Sequence, residues 1–299
     1  MMIKKVLFYI GGSIGLTLTL FFAGKSFWAE SKEKKAQDPL YTIRALIQTG
    51  PEKEALQTAY LAELLGLSVD HPTNLYAFDL KTGQKKLQNS PLISRAKIKR
   101  MAPNALYVDY EARKPIAMLG DYVNTAIDKE GYLFPVTPFF SPKELPEIFL
   151  GLPSFGQEED GFDRKGGKWN EPLSGKYLSL AFEVLHFLEG SPWREGLRIK
   201  KIDVSRAFAL SLGQREIILF TEEELVLNRG GVSKMCIFPK MLRLSPRDYT
   251  SQMLNFLSLR KKMMEDYSKQ LENAALPESG RFSFRIIDLR IPHLAFVEN

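Results

Sequence analysis

The chain has 299 residues, enough for about two domains. Its formal net charge of +6 would suit nucleic acid, but lysines and arginines are spread along the sequence with acids between them. No basic stripe with interleaved aromatics accompanies them, which argues against that class. The single cysteine, Cys236, excludes an internal disulfide and a multi-cysteine metal site. Beside Ile237 and Phe238 it reads as a buried, inert thiol.

Val6 to Gly24 carries no charge, with Lys4 and Lys5 before it and Lys25 and Trp28 after. At about 1.5 Å per residue such a helix covers most of a hydrocarbon layer of roughly 30 Å. The run is longer than a secretory apolar region and lacks small residues at a cleavage site, so an uncleaved anchor fits better than a signal peptide. Short-range charge does not favour placing the N-terminus in the cytoplasm, because Lys25, Lys32, Lys34 and Lys35 outnumber Lys4 and Lys5, although long domains translocate largely regardless of such charges. Gly11 and Gly15 form a GxxxG, a weak signal for helix association beside a plain lipid-facing span. Residues 1–5 form a short tail, 6–24 the span and 25–39 a charged, solvated linker.

From Leu40 onward, Tyr41, Ile43 and, less regularly, Leu46 and Ile47 suggest a first strand. Leu56, Tyr60, Leu61, Leu64 and Leu65 then recur at helical spacing up to Gly66. Leu80 and Leu87 share a face of a second helix that Pro91 closes. Between Arg95 and Lys99 charged and apolar residues alternate, a strand with one wet face formed by Arg95, Lys97 and Lys99. Met101 to Asn104 makes the turn, and Leu106, Val108 and Tyr110 alternate in the return strand. The expected order over 40–114 is βααββ.

Residues 115–299 read as a second, mainly antiparallel β-domain with flanking helices. Ile116–Leu119, Val123–Ile127 and Tyr132–Phe134 predict short strands, and Gly156–Gly175 a mobile surface loop. Leu178, Phe182, Leu185 and Leu188 mark a helix. Arg198–Val204, Phe208–Leu212 and Glu216–Phe220 predict a meander. Thr221 and Glu224 have the spacing of a capping box for a short helix, with a turn at Arg229-Gly230-Gly231. Ser245-Pro246 opens a helix carrying Tyr249, Met253, Phe256, Leu257 and Met264, and strands fill Arg281 to Val297.

The segments NLYAFDL, SPLISRAKIKR, APNALYV and YEARKPIA, with IDLR at Ile287–Arg290, resemble the FtsQ/DivIB family of bacterial cell-division proteins. Asn74-Leu75, Phe78–Leu80, Pro91, Ile93, Ala96, Ile98, Arg100, Pro103, Leu106, Val108, Glu111 and Pro115–Ala117 stand where that family places similar residues. The resemblance implies an α+β fold: one transmembrane helix, a POTRA domain over 40–114 and a β-domain over 115–299. It further implies a periplasmic scaffold of the division machinery that holds FtsB/FtsL-like partners. The bulk would then lie outside the cytoplasm. The chain departs from the family at Ile291, Pro292 and Gln252.

Catalytic patterns are weak. His71, His186 and His293 show no ligand spacing, and the GxSxG at Gly11–Gly15 lies inside the apolar run. Gly161 to Lys168 lacks the Ser or Thr of a phosphate loop. The expected site is therefore a surface. In FSFRIIDLRIPHLAFV, Pro292 suits an edge strand, and an open edge offers backbone groups to an incoming strand. The partner-binding residues expected on this basis are Ile286, Ile287, Asp288, Leu289, Arg290, Ile291, His293, Leu294 and Phe296, and the resemblance implies that the preceding helix adds Gln252 and Phe256. The resemblance implies that Arg290 bonds a partner carboxylate; the alternative is that it pairs with Asp288 on a wet face. Arg95, Lys97 and Lys99 form a second candidate face, implied to take other division proteins or to be plainly solvated. No cofactor or metal is expected. A translocation protein with POTRA domains and a tethered envelope enzyme are the rival classes.

Overall fold

The computed structural model describes residues 19–21, 25, 30–50, 55–137, 139–140, 143–157, 164–190, 196–229, 232–273 and 280–298. Of the expected span Val6–Gly24, all but residues 19–21 lies outside these. The tail, the GxxxG glycines, Trp28 and the Gly230-Gly231 turn lie outside them too. Among the described residues no helix is long and apolar enough to cross a membrane. The protein is mixed α+β and divides into two compact units, Met1–Arg113 and Lys114–Asn299.

In the first unit, residues 30–37 are helical (α1), where the charge pattern predicts only a solvated linker. Then follow β1 (Ala45–Thr49), α2 (Thr58–Leu65), α3 (Leu80–Gln88), β2 (Ile93–Met101) and β3 (Ala105–Ala112). β3 lies centrally, parallel to β1 and antiparallel to β2. The expected start at Tyr41 moves inward, because Pro39–Tyr41 closes a 3-10 turn capped by Asp38.

Gly66 ends α2 in the left-handed region, φ 69°, where glycine carries no Cβ penalty. The N–H groups of Gly66 and Leu67 return to Glu63 and Ala62. Asp79 caps α3 by accepting from the Lys81 N–H at 3.0 Å. Gly83 sits mid-helix at a propensity loss of about 0.5–1 kcal/mol; a Cβ there would lie 2.8 Å from the Phe78 ring. Leu61, Leu65, Leu75 and Leu87 are buried, as are Ala96, Ile98, Leu106 and Val108 of the alternating strands.

The second unit is built on a nine-stranded mixed sheet. Its elements are β4 (Ala117–Leu119), β5 (Thr125–Ile127), β6 (Leu133–Pro135), β7 (Glu147–Phe149), α4 (Lys176–Glu189), β8 (Leu197–Asp203), β9 (Ile217–Arg229), β10 (Val232–Leu244), α5 (Tyr249–Asn273), β11 (Arg285–Asp288) and β12 (Phe296–Glu298). The spatial order is β12-β11-β10-β9-β8-β7-β4-β5-β6. Pairings β10–β11, β7–β8 and β4–β7 are parallel and the rest antiparallel. Ile217, Leu219, Cys236, Phe238, Leu242 and Ile287 point into one buried cluster with Leu178, Val184 and Leu185 of α4 and Met253, Phe256 and Tyr267 of α5.

Three expectations fail here. Val123 is 96% exposed and precedes its strand. Phe208–Leu212 forms turns rather than a strand. Thr221–Glu224 is not a helix start but the middle of β9. Its residues alternate, Thr221 and Glu223 inward, Glu222 and Glu224 outward, and antiparallel pairing to β10 outweighs the local capping pattern. The loop flanks are also pinned rather than free. Arg164 donates to the carbonyls of Gly151 and Ser205 and lies 3.9 Å from the Tyr177 ring centroid.

Glu223 can face inward only because cations meet it. Lys240, 1% exposed, bonds one carboxylate oxygen, and Arg260 of α5 bonds the other at 2.8 Å. Burial pulls the Lys240 ammonium below its ordinary pKa, and Glu223 opposes that pull. Removing one member of such a pair leaves an uncompensated buried charge. Glu223→Gln should therefore lower stability by about 3–5 kcal/mol in urea denaturation. Glu223→Leu combined with Lys240→Met should recover most of that loss. A single-variant loss below about 1 kcal/mol would show that the pair is dispensable.

Candidate partner-binding edge

β11 follows α5 and adds parallel to β10, with Met241 opposite Ile286 and Arg243 opposite Asp288. The chain then turns at Ile291–Leu294, where the Leu294 N–H returns to the Ile291 carbonyl at 3.2 Å and His293 takes φ 62°. Pro292 therefore serves a turn rather than an edge strand. After it β12 runs back antiparallel to β11, placing Val297 opposite Ile287.

This corrects the expected edge. Residues Ile286–Asp288 are hydrogen-bonded on both flanks, to β10 and to the chain's own β12, so they present no open margin. Among the described residues the open margin is β12 itself, the last strand in the order of the sheet. At the opposite end β6 has residues beside it: Tyr132 bridges Pro172, and the Leu173 N–H reaches the Gly131 carbonyl.

The expected site residues separate by depth. Ile287 and Leu289 are buried in the core cluster with Phe256, which is fully buried. Gln252 is also buried, and its Oε1 accepts from the Ser245 N–H at 2.8 Å, fixing the entry into α5. These four hold the sheet against α5 and present little to a partner. Ile291, Leu294 and Phe296 are each at least 60% exposed, and His293 is exposed as well. A groove between α5 and the turn is lined by Gln252, Asn255, Ser258, Leu289, Ile291 and His293. Val297 and Phe284 are exposed nearby without having been singled out; Phe284 stacks on Phe220 at 6.2 Å. The alternation of the terminal run carries that signal, because Phe284, Ile286, Asp288 and Phe296 fall on the outward parity.

Arg290 has its partners within the chain. It grips Asp288 through Nε and Nη2 at 3.0 and 2.7 Å, donates to the Gly213 carbonyl, and lies 3.5 Å from Glu216. Arg243 joins Glu216 at 2.7 Å and Asp288 at 3.3 Å. The wet-face pairing of Asp288 with Arg290 is thus the arrangement present, enlarged into a network over β9, β10 and β11. Burial pushes the Asp288 carboxyl up, but hydrogen bonds from Arg290 and the charges of Arg290 and Arg243 outweigh it, leaving the pKa below 3.8.

The second candidate face belongs to the first unit. Arg95, Lys97 and Lys99 are exposed on β2, but β3 sets acids beside them. Arg95 lies 3.5 Å from Glu111, and Lys97 is in register with Asp109. The face is of mixed charge rather than basic.

Among the described residues no group of three or more His, Cys, Asp or Glu converges as a metal site. No protein-family model matches the chain, and no curated protein matches it. The class defined is therefore that of the fold: a mixed α+β protein whose large sheet ends in a short exposed strand.

A carboxylate with a depressed folded-state pKa stabilises above its unfolded value and loses that contribution as pH falls through the folded one. The Asp288 contribution should thus be complete above about pH 5 and be lost progressively as pH falls through the carboxylate range. Asp288→Asn should lower stability at pH 7 and flatten the acid limb of a pH–denaturation profile. An unchanged limb would mean that the network is energetically silent.

Proposed function

We propose that this chain is a non-enzymatic, single-pass scaffold of the bacterial cell-division machinery. It sits in the inner membrane with both units outside the cytoplasm. It holds FtsB/FtsL-like proteins near septal peptidoglycan synthesis, and the first unit acts as a POTRA domain. The observation that carries this reading is the open β12 margin, with Phe296 and Val297 exposed on it and Ile291 and Leu294 beside it. A short terminal strand bearing large apolar side chains is an aggregation liability when left bare and a docking register when a partner strand covers it. Backbone groups of β12 would pair with the incoming strand, and side chains of alternate parity would select it.

The βααββ order of the first unit supports the POTRA assignment, and the sequence resemblance supports the division role. The partner contacts differ from those the resemblance implies, because Arg290, Gln252 and Phe256 are engaged inside the fold. Recognition falls instead to Phe296, Val297, Ile291, Leu294 and the rim of the α5 groove.

Phe296→Asp should abolish recovery of FtsB/FtsL-like proteins from solubilised membranes by the tagged full chain. Phe296 is 68% exposed but faces Asp288 across the β11–β12 pair, so Phe296→Thr, which adds no charge there, should weaken recovery in the same sense while altering stability by less than about 0.5 kcal/mol. An unchanged set of partners identified by mass spectrometry would defeat the β12 assignment. Even distribution of a fluorescent fusion around the envelope would defeat the division role.

A further inference from the structure

We propose that Asn74 locks α1 onto the first unit, making residues 30–38 a rigid stem of fixed direction rather than a tether. The end of a helix in water frays unless tertiary contacts hold it, since most helical stability in proteins comes from packing rather than propensity. The last carbonyls of a helix also need donors from outside it. Both needs are met from one side chain. The Asn74 Nδ2 donates to the Lys35 carbonyl, in the last turn of α1, and to the Asp38 carbonyl just beyond it, each at 3.0 Å.

The anchor itself is immobilised. Asn74 Oδ1 accepts from the Tyr76 N–H at 2.8 Å and the Ala77 N–H at 3.4 Å. Its backbone bridges Thr42, and the Leu75 N–H donates to the Tyr41 carbonyl at 2.7 Å. Arg100, reaching from β2, donates to the Leu75 and Phe78 carbonyls, both at 2.7 Å. Thus the loop that holds α1 is in turn held by the three-stranded sheet.

A second contact acts in the same sense. The Lys35 ammonium lies 5.3 Å from the Tyr76 ring centroid, and the Tyr41 ring meets Tyr76 edge-on at 4.9 Å. Lys35 and Ala36 are half-buried, whereas Lys32, Glu33 and Lys34 are exposed, so α1 has a docked side and a wet side. A charged segment free to swing would have neither. The consequence at a membrane, a fixed orientation of the first unit above the bilayer, rests on the anchored-scaffold reading; the lock itself does not.

The test measures distances in the full chain in detergent micelles. Spin labels are placed at Glu33→Cys and Lys85→Cys, and Cys236, fully buried, stays unlabelled. The distance distribution should be single and narrow. Asn74→Asp keeps the acceptor for Tyr76 and Ala77 but removes both donors. It should broaden the distribution by about two-fold or more, as a polar tether released from its anchor would. A broad distribution with Asn74 intact, or an unchanged one in Asn74→Asp, would overturn the lock. Hydrogen exchange of residues 33–37 gives a readout that needs no variant. Protection comparable to that of β2 supports the stem, and exchange at free-helix rates overturns it. Phe296→Asp should leave both readouts unmoved, so the lock and the partner-binding proposal fail separately.

Discussion

The second unit is organised around one buried charge cluster. Glu223 lies in the inward row of β9, among residues that otherwise have to be apolar. Lys240 answers it from β10 and Arg260 from α5. An isolated buried carboxylate would be far too costly, so strand pairing, helix docking and charge satisfaction have to occur together. Tyr267 of α5 stacks on Phe238 at 4.4 Å beside the cluster, so the aromatic contact and the ion pairs constrain the same register. β10, fixed in this way, gives β11 its parallel partner, and β11 gives β12 its place.

The outward face of those strands carries a second network of a different kind. Glu216, Arg243, Asp288 and Arg290 are only partly shielded apart from Glu216, and they join β9, β10 and β11 near the end of the sheet. Surface ion pairs taken singly contribute little, but bidentate arginine grips arranged as a network hold geometry. Arg290 also ties the Gly213 carbonyl to the terminal turn. The network therefore acts as a frame behind β12 rather than as a probe for a partner. In the proposed reading, recognition is left to the apolar side chains beyond the frame.

The first unit shows the same division between held and presented groups. Its sheet buries one face under α2 and α3 and leaves the other wet, with arginine and lysine on β2 set against acids on β3. Ahead of this sheet lies α1, fastened through Asn74. Asparagine suits that position because an amide supplies two donors and an acceptor from one planar group. Neither aspartate nor leucine can do both tasks.

The two-residue and helical periodicities of the first unit were legible directly. From α2 to β3 each strand and helix alternates or repeats cleanly, and Gly66, Asp79 and Pro91 punctuate the run, whereas β1 begins at Ala45 rather than Tyr41 and α1 falls where only a linker is expected. The same holds for α4, α5 and β8. Local pattern failed at Thr221–Glu224, where a run of acids imitates a helix start, because the cations that admit Glu223 to the interior lie 17 and 37 residues further on. It failed again at Ile286–Asp288. Alternation there is consistent with a strand at an edge or inside a sheet, and only the return of the chain through Ile291–Leu294 decides between them. Gln252 and Phe256 could be assigned to a helix from their spacing, but which side of that helix meets the sheet is a property of packing. Periodicity along the chain thus determined the kinds of element and which side chains share a face. Strand order, the partners of each buried charge and the identity of the open margin depended on contacts between residues far apart in sequence, and only the tertiary structure decided them.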